Sequence, residues 1–104
     1  MAKFGSQSQP MKWTPNTALA LLRKALAADS VRVTDHARNQ AEAAGYSLAL
    51  ILAELRLAAR RGTVGRNDSQ PDRAIAYGNF LALAFGRDGQ VNRAVVVTAF
   101  IIER

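Results

Sequence analysis

Ala58-Ala59-Arg60-Arg61-Gly62-Thr63-Val64-Gly65-Arg66 is where the chain changes its period. Upstream, Leu48, Ile51, Leu52, Leu55 and Ala59 recur at helical spacing, which predicts a buried stripe on a helix that Ser47 caps and Gly62 stops. Downstream the apolar residues alternate, as half-buried strands require. Helices first and strands afterwards imply an α+β domain: two to three N-terminal helices packed on one face of a four-stranded antiparallel sheet.

Working back from that switch, Thr14-Pro15 is a helix start, with Thr as N-cap and Pro at the first helical position. Leu19, Leu22 and Leu26 then mark an apolar face through Ala28, with Arg23 and Lys24 pointing outward. Val31 to Val33 reads as a strand stub or an extended lead-in. Thr34 or Asp35 caps a short helix from about Asp35 to Ala44, which Gly45 ends. Residues Met1 to Lys12, rich in Ser and Gln, read as a flexible leader or linker remnant ahead of a single domain spanning 13–104, with Phe4 and Trp13 packing the leader onto it.

Working forward, the expected strands are Thr63 to Arg66, Arg73 to Tyr77, Asn79 to Phe85, and Asn92 to about Ile102. Arg87-Asp88-Gly89-Gln90 supplies a hairpin turn, because Asp-Gly accepts the positive φ of tight turns. The run Ala94-Val-Val-Val-Thr-Ala-Phe-Ile-Ile102 is nearly continuous in apolar residues, which predicts a central strand covered on much of both faces. On a strict period of two, its one polar residue, Thr98, shares a face with Val96 and Phe100.

Composition narrows the chemistry. The formal net charge is +6, and eleven of the fourteen basic residues are Arg, whose planar fork suits phosphate. That balance favours a nucleic-acid partner. The chain has no cysteine, which excludes thiol chemistry and fits a reducing compartment. It has no apolar run long enough for a membrane span, and no signal-peptide core at its N-terminus. One His and eight scattered acids show no metal-ligand spacing, so neither a metal nor another cofactor is expected.

His36, the single histidine, is the one side chain whose unperturbed titration lets it trade protons near neutrality. It is either a proton-transfer group or a residue that packs and caps beside Thr34 and Asp35. Asn39 and Gln40, three and four residues on, are its same-face neighbours; they could bond a base edge or phosphate, or form a solvated helix face. Arg38 points to another side. Arg73 and Tyr77 lie four residues apart on one strand face, placed to hold phosphate and supply an acid, or else to leave Tyr77 as a core aromatic. Arg66, Arg87 and Arg93 flank strands and turns; each reads as a surface base, and together they could line a basic cleft. Thr98 either bonds locally or faces a site, since a buried hydroxyl must be paired. Arg60 and Arg61 suit the C-terminal end of their helix, and Glu103-Arg104 reads as a frayed terminus.

The motif Val33-Thr-Asp-His-Ala37 at a helix start, the break at Gly45, a further helix and a Val-rich final strand resemble the small bacterial toxin domains of the RelE and BrnT kind. The resemblance covers about Val31 to Ile102 and lies nearest an uncharacterised family with a Thr-x-His-Ala motif. That family shares a fold with barnase, EndoU and colicin-type ribonucleases: N-terminal helices followed by a four-stranded antiparallel sheet. Gln40 stands where that family often carries Arg, and Ala44 where it often carries another base. Polar residues on the final strand often help form the site in such proteins, which implicates Thr98.

The resemblance implies a small, basic, metal-independent ribonuclease acting as a bacterial toxin. His36, Tyr77 and Thr98 would be its catalytic residues, and Arg66, Arg73, Arg87, Arg93 and Gln40 would bind RNA or phosphate. It implies an acidic antitoxin or immunity protein as partner, and action in the cytoplasm, either as a stand-alone toxin or as a piece delivered by a larger one. The alternative is a non-catalytic module of the same fold that binds nucleic acid or protein.

Overall fold

In a computed structural model, described for residues 14–70, 72–89 and 93–102, the chain forms three helices and five strands. In chain order they are α1 (Pro15–Ala27), β1 (Val31–Val33), α2 (Asp35–Ala43), α3 (Leu48–Arg61), β2 (Val64–Arg66), β3 (Ala74–Tyr77), β4 (Leu81–Arg87) and β5 (Ala94–Ile101). The leader, with Phe4 and Trp13, and the terminal Glu103-Arg104 lie outside the described residues.

Each helix begins where a hydroxyl can satisfy an orphan backbone N–H. Thr14 accepts from Thr17 N, Thr34 from Ala37 N, and Ser47 from Leu50 N. Such a cap is worth about 1 kcal/mol over alanine. Gly62 closes α3 in the left-handed conformation at φ 73°, which costs glycine nothing. Arg23 does more than point outward: its Nε donates to the carbonyl of Ala59, one of the last of α3.

The sheet order is β1-β5-β4-β3-β2. The last four strands form the expected antiparallel meander. The sheet is nevertheless five-stranded and mixed, because Val31–Val33 is a true strand that pairs parallel with Ala94–Val96. This corrects the four-stranded antiparallel expectation. The stretch itself reads as a strand stub or lead-in, but nothing local marks its partner some sixty residues away, and parallel pairing has no turn to announce it.

One face of the sheet carries the core. Val64, Ala74, Ala76, Leu81, Leu83, Phe85, Ala94, Val96 and Ala99 meet Ala18, Leu22, Ala25, Ala37, Ala41, Ile51, Leu55 and Ala58 from the helices. Leu19, Leu26 and Leu52 are only partly buried beside this cluster, and Leu48 stands 39% exposed rather than in the α3 stripe. β4, not β5, is the middle strand, and it is buried from Leu81 to Gly86. β5 is buried through Val96, but Phe100 and Ile101 are exposed.

A bulge in β5 corrects the facing of Thr98. Phe85 pairs with Val96 but Ala84 pairs with Thr98, so Val97 is the extra residue. Val96 therefore faces the core, while Thr98 and Phe100 face the opposite side. Beyond Val96 no described strand lies beside the outer edge of β5. α2 covers it instead: Thr34 Oγ1 donates to Val97 O at 3.4 Å, and Ala99 N donates to Gln40 Oε1 at 2.9 Å. Among the described residues, no helix is long and apolar enough to cross a membrane.

Candidate nucleic-acid interface

Among the described residues no helix packs on the second face of the sheet, and this helix-free face can be read row by row from the strand register. One row runs Arg32, Val95, Gly86. The next runs Thr98, Ala84, Ile75, Gly65. The third runs Phe100, Ala82, Tyr77. The middle strand contributes only Ala82, Ala84 and Gly86, all buried, so a shallow floor of small residues lies between taller walls on β3 and β5.

Arg73 reaches across this floor. It immediately precedes β3 on the same face as Ile75 and Tyr77, and a Cβ built on Gly86 would lie 3.1 Å from its Nη1 and 3.2 Å from its Cδ. The arginine thus lies over the glycine, directed from β3 across β4. Isolated glycine in a strand often marks such a close approach. Nη1 pairs with Asp72 Oδ2 at 3.2 Å, and Nε is buried with no hydrogen-bond partner among the described residues, while the side chain as a whole is 29% exposed.

His36 is exposed on the first turn of α2. Its direction follows from its neighbours. Ala37 and Ala41 point into the core, and Gln40 points at the edge of β5. At about 100° per residue, turning from the core past Gln40 reaches His36 next. It therefore stands beyond the β5 edge, toward the helix-free face. It is also one turn upstream of Gln40, beside the β5 segment that holds Val97 and Thr98. Sequence and fold thus bring His36 and Thr98 to the same edge, with Arg73 directed toward it from the far side.

The other expected site residues divide. Tyr77 is on the helix-free face and 43% exposed, so it is not a core aromatic. Its ring packs on Gly65, where a Cβ would lie 3.1 Å from Cε2, which turns it toward β2 and away from His36. Arg93 pairs with Asp88 at 4.0 Å at the β4–β5 turn. Arg66 and Arg87 stand opposite Ala74 and Ala94, both core residues, so the register sends them to the helix side of the sheet. Gln40 is half-buried and committed to the backbone of Ala99, which corrects its reading as a solvated helix face. Arg38 pairs with Asp35 at 3.0 Å.

Sequence reasoning missed Arg32 and Phe100. Arg32 lies on this face and holds Asp88 through two bonds, Nε to Oδ2 at 3.3 Å and Nη2 to Oδ1 at 3.4 Å. The Arg32 hydrogen bond, aided by the charges of Arg32 and Arg93 and opposed by desolvation, lowers the Asp88 carboxyl below its ordinary value. Gly65 and Gly86 were the available signals, since both lie inside strands.

Glu54 is the buried carboxylate of α3, 3% exposed. It accepts from the backbone N–H groups of Asn79 at 3.2 Å, Phe80 at 2.6 Å and Leu81 at 2.9 Å. A Cβ on Gly78 would fall 2.5 Å from its Oε1, so only glycine lets the turn close on it. Arg61 Nη1 donates to Asn79 Oδ1, and Tyr46 stacks on Phe80 at 6.0 Å. These contacts clamp the β3–β4 turn and so fix the height of β4, the floor of the open face. Among the described residues, no three His, Asp or Glu side chains gather as a metal site would require.

No family model matches the chain, and no curated protein or solved structure is significantly similar to it.

Proposed function

We propose that the chain is a small, basic ribonuclease of the RelE-like toxin kind that cleaves RNA by 2′-hydroxyl attack without a metal. The observation that carries the reading is Arg73, laid over Gly86 with its side chain 29% exposed and directed toward the β5 edge where His36 and Thr98 stand. Such cleavage needs a base for the 2′-hydroxyl, charge stabilisation on the phosphate, and a proton for the leaving oxygen.

His36 takes the 2′-hydroxyl proton as the 2′-oxygen attacks phosphorus. The bond from phosphorus to the 5′-oxygen breaks, and His36 returns the proton to that oxygen, directly or through water. The products are a 2′,3′-cyclic phosphate and a 5′-hydroxyl. Arg73 binds the phosphate through the donors that Asp72 leaves free, and the Thr98 hydroxyl donates to a phosphate oxygen. Tyr77, turned toward β2, serves binding rather than proton transfer. Arg32 and Arg93 add positive charge along the same face. An acidic antitoxin or immunity protein would neutralise such a toxin by covering this face.

The test is an RNA carrying a single 2′-deoxy residue, incubated with the protein in excess chelator. Cleavage elsewhere, with 2′,3′-cyclic ends, and none at the deoxy position supports the reading; an intact RNA ends it. One observation favours the non-catalytic alternative. The position where the resemblance places an arginine is Gln40, which is held by Ala99 and offers no charge. Salt-dependent RNA binding without cleavage would establish that second reading.

A further inference from the structure

We infer that Arg32, positioned by Asp88, holds a second phosphate of single-stranded RNA, the neighbour of the phosphate on Arg73. The inference rests on the ribonuclease reading for its choice of ligand.

Two arginines cross the helix-free face from opposite sides. Arg73 reaches from the start of β3 over Gly86 of β4, where a Cβ would meet its Nη1 at 3.1 Å. Arg32 starts on β1 beside Val95 and spans β5 to hold Asp88, through Nε at 3.3 Å and Nη2 at 3.4 Å. Asp88 follows the end of β4 and prolongs its ladder, donating its N–H to Arg93 O. Gly86 and Asp88 are two residues apart on one face, about 7 Å. The two guanidinium groups therefore stand at successive positions along β4, each placed by a contact of its own. Consecutive phosphates of an extended strand have a comparable spacing.

The charge balance at Asp88 favours an anion. Its carboxylate also takes Arg93 at 4.0 Å, so one acid serves two arginines and a positive charge is left over. A pair built only to tie β1 to the end of β4 needs one arginine. The Arg32 side chain remains 56% exposed, and its guanidinium carries more N–H donors than Asp88 occupies. Held by two bonds, it meets a ligand without first ordering a long side chain.

The order along β4 relates this subsite to the chemistry. Thr98 is opposite Ala84, Arg73 lies over Gly86, and Arg32 comes next at Asp88. The reacting phosphate thus sits between Thr98 and Arg73, and the flanking one at Arg32. Contacts to phosphate carry no sequence information, so the subsite adds affinity for any RNA.

The experiment titrates the protein with a 2′-O-methyl trinucleotide, which cannot be cleaved, and with two versions in which one linkage or the other is a neutral methylphosphonate. The parent should bind each modified version about tenfold more weakly than the fully charged strand. Arg32→Ala should lose about tenfold for the charged strand and become indifferent to one of the two replacements. Arg73→Ala should become indifferent to the other. Asp88→Ala should reproduce Arg32→Ala, although removing an acid from a cationic face would by charge alone tighten binding. Circular dichroism checks that each variant is folded.

The inference is overturned if Arg32→Ala stays equally sensitive to both replacements, or if Asp88→Ala binds the charged strand more tightly than the parent. It is overturned also if the parent binds no trinucleotide, the outcome expected of a face that docks an acidic protein. The two readings fail separately. The expected pattern with ordinary RNA left whole would retain the Arg32 subsite and remove the ribonuclease. Cleavage of ordinary RNA, with Arg32→Ala sensitive to both replacements, would do the reverse.

Discussion

The two faces of the sheet are built from the same strands on opposite rules. On the helix side, Leu81, Leu83, Phe85 and Val96 are fully buried among helix residues. On the other side, the same middle strand offers Ala82, Ala84 and Gly86, and the large groups around them are Arg73, Tyr77, Thr98 and Phe100. A face meant only to meet water does not need small residues at its centre; polar ones of any size would serve. On the proposed reading, substitutions on the helix side should change stability, and those on the opposite side binding and turnover.

The sharpest way to break this contrast is in the core. Phe85→Ala removes the largest fully buried side chain and should cost about 3–5 kcal/mol in denaturant unfolding. A loss under 1 kcal/mol would mean that the helix side is not the core. Glu54→Ala comes next. It strips three backbone N–H groups of their acceptor in a buried turn and should cost about 3 kcal/mol. Glu54→Gln, which keeps one carbonyl oxygen, should cost less.

Gln40→Ala should cost about 1–2 kcal/mol, because it leaves Ala99 N unpaired beneath α2. Thermal unfolding of this variant tests whether Gln40 is structural; unchanged stability with lost RNA affinity would return it to the binding set. Arg73→Ala lies across the divide. Its stability should stay within about 0.5 kcal/mol. RNA affinity should fall, with the salt dependence shallower by about one unit of slope.

The smallest effect concerns acid. Because Arg32 first, with Arg93, holds Asp88 lowered in the folded protein, its stabilising contribution is complete above the unfolded carboxyl value, near 3.9. It is lost as pH falls through the folded value. The stability gap between the parent and Asp88→Asn should therefore be constant from neutrality to about pH 5 and close below pH 4. A gap that widens in acid would contradict the pairing.

How much of this could be read from sequence depends on how local each cause is. Thr14, Thr34 and Ser47 cap helices whose N–H groups lie three residues away, so their roles were legible. The meander was legible too, since its strands alternate and Asp88-Gly89 marks a turn, with Gly89 at φ 68°. Three features were not. β1 pairs with β5 across most of the chain, and the Val97 bulge is fixed by register rather than composition. Glu54 binds backbone groups 25 to 27 residues away, which carry no residue signature beyond the glycine that the turn needs at 78.

The candidate site was legible in parts. His36 stands out by its rarity, and Arg73 with Tyr77 by strand spacing. Arg66 and Arg87 differ from Arg73 only in strand parity, and parity cannot be assigned until the strand ends are known. Phe100 was hidden in a run that looked uniformly buried.

The most direct test of the central claim is single-turnover cleavage of a labelled RNA in excess chelator by the parent and by His36→Ala, with folding checked by circular dichroism. The parent should yield fragments with 2′,3′-cyclic ends, and a folded His36→Ala should cleave at a rate at least about a hundredfold lower. An RNA left whole by the parent, or cut equally fast by His36→Ala, would contradict it.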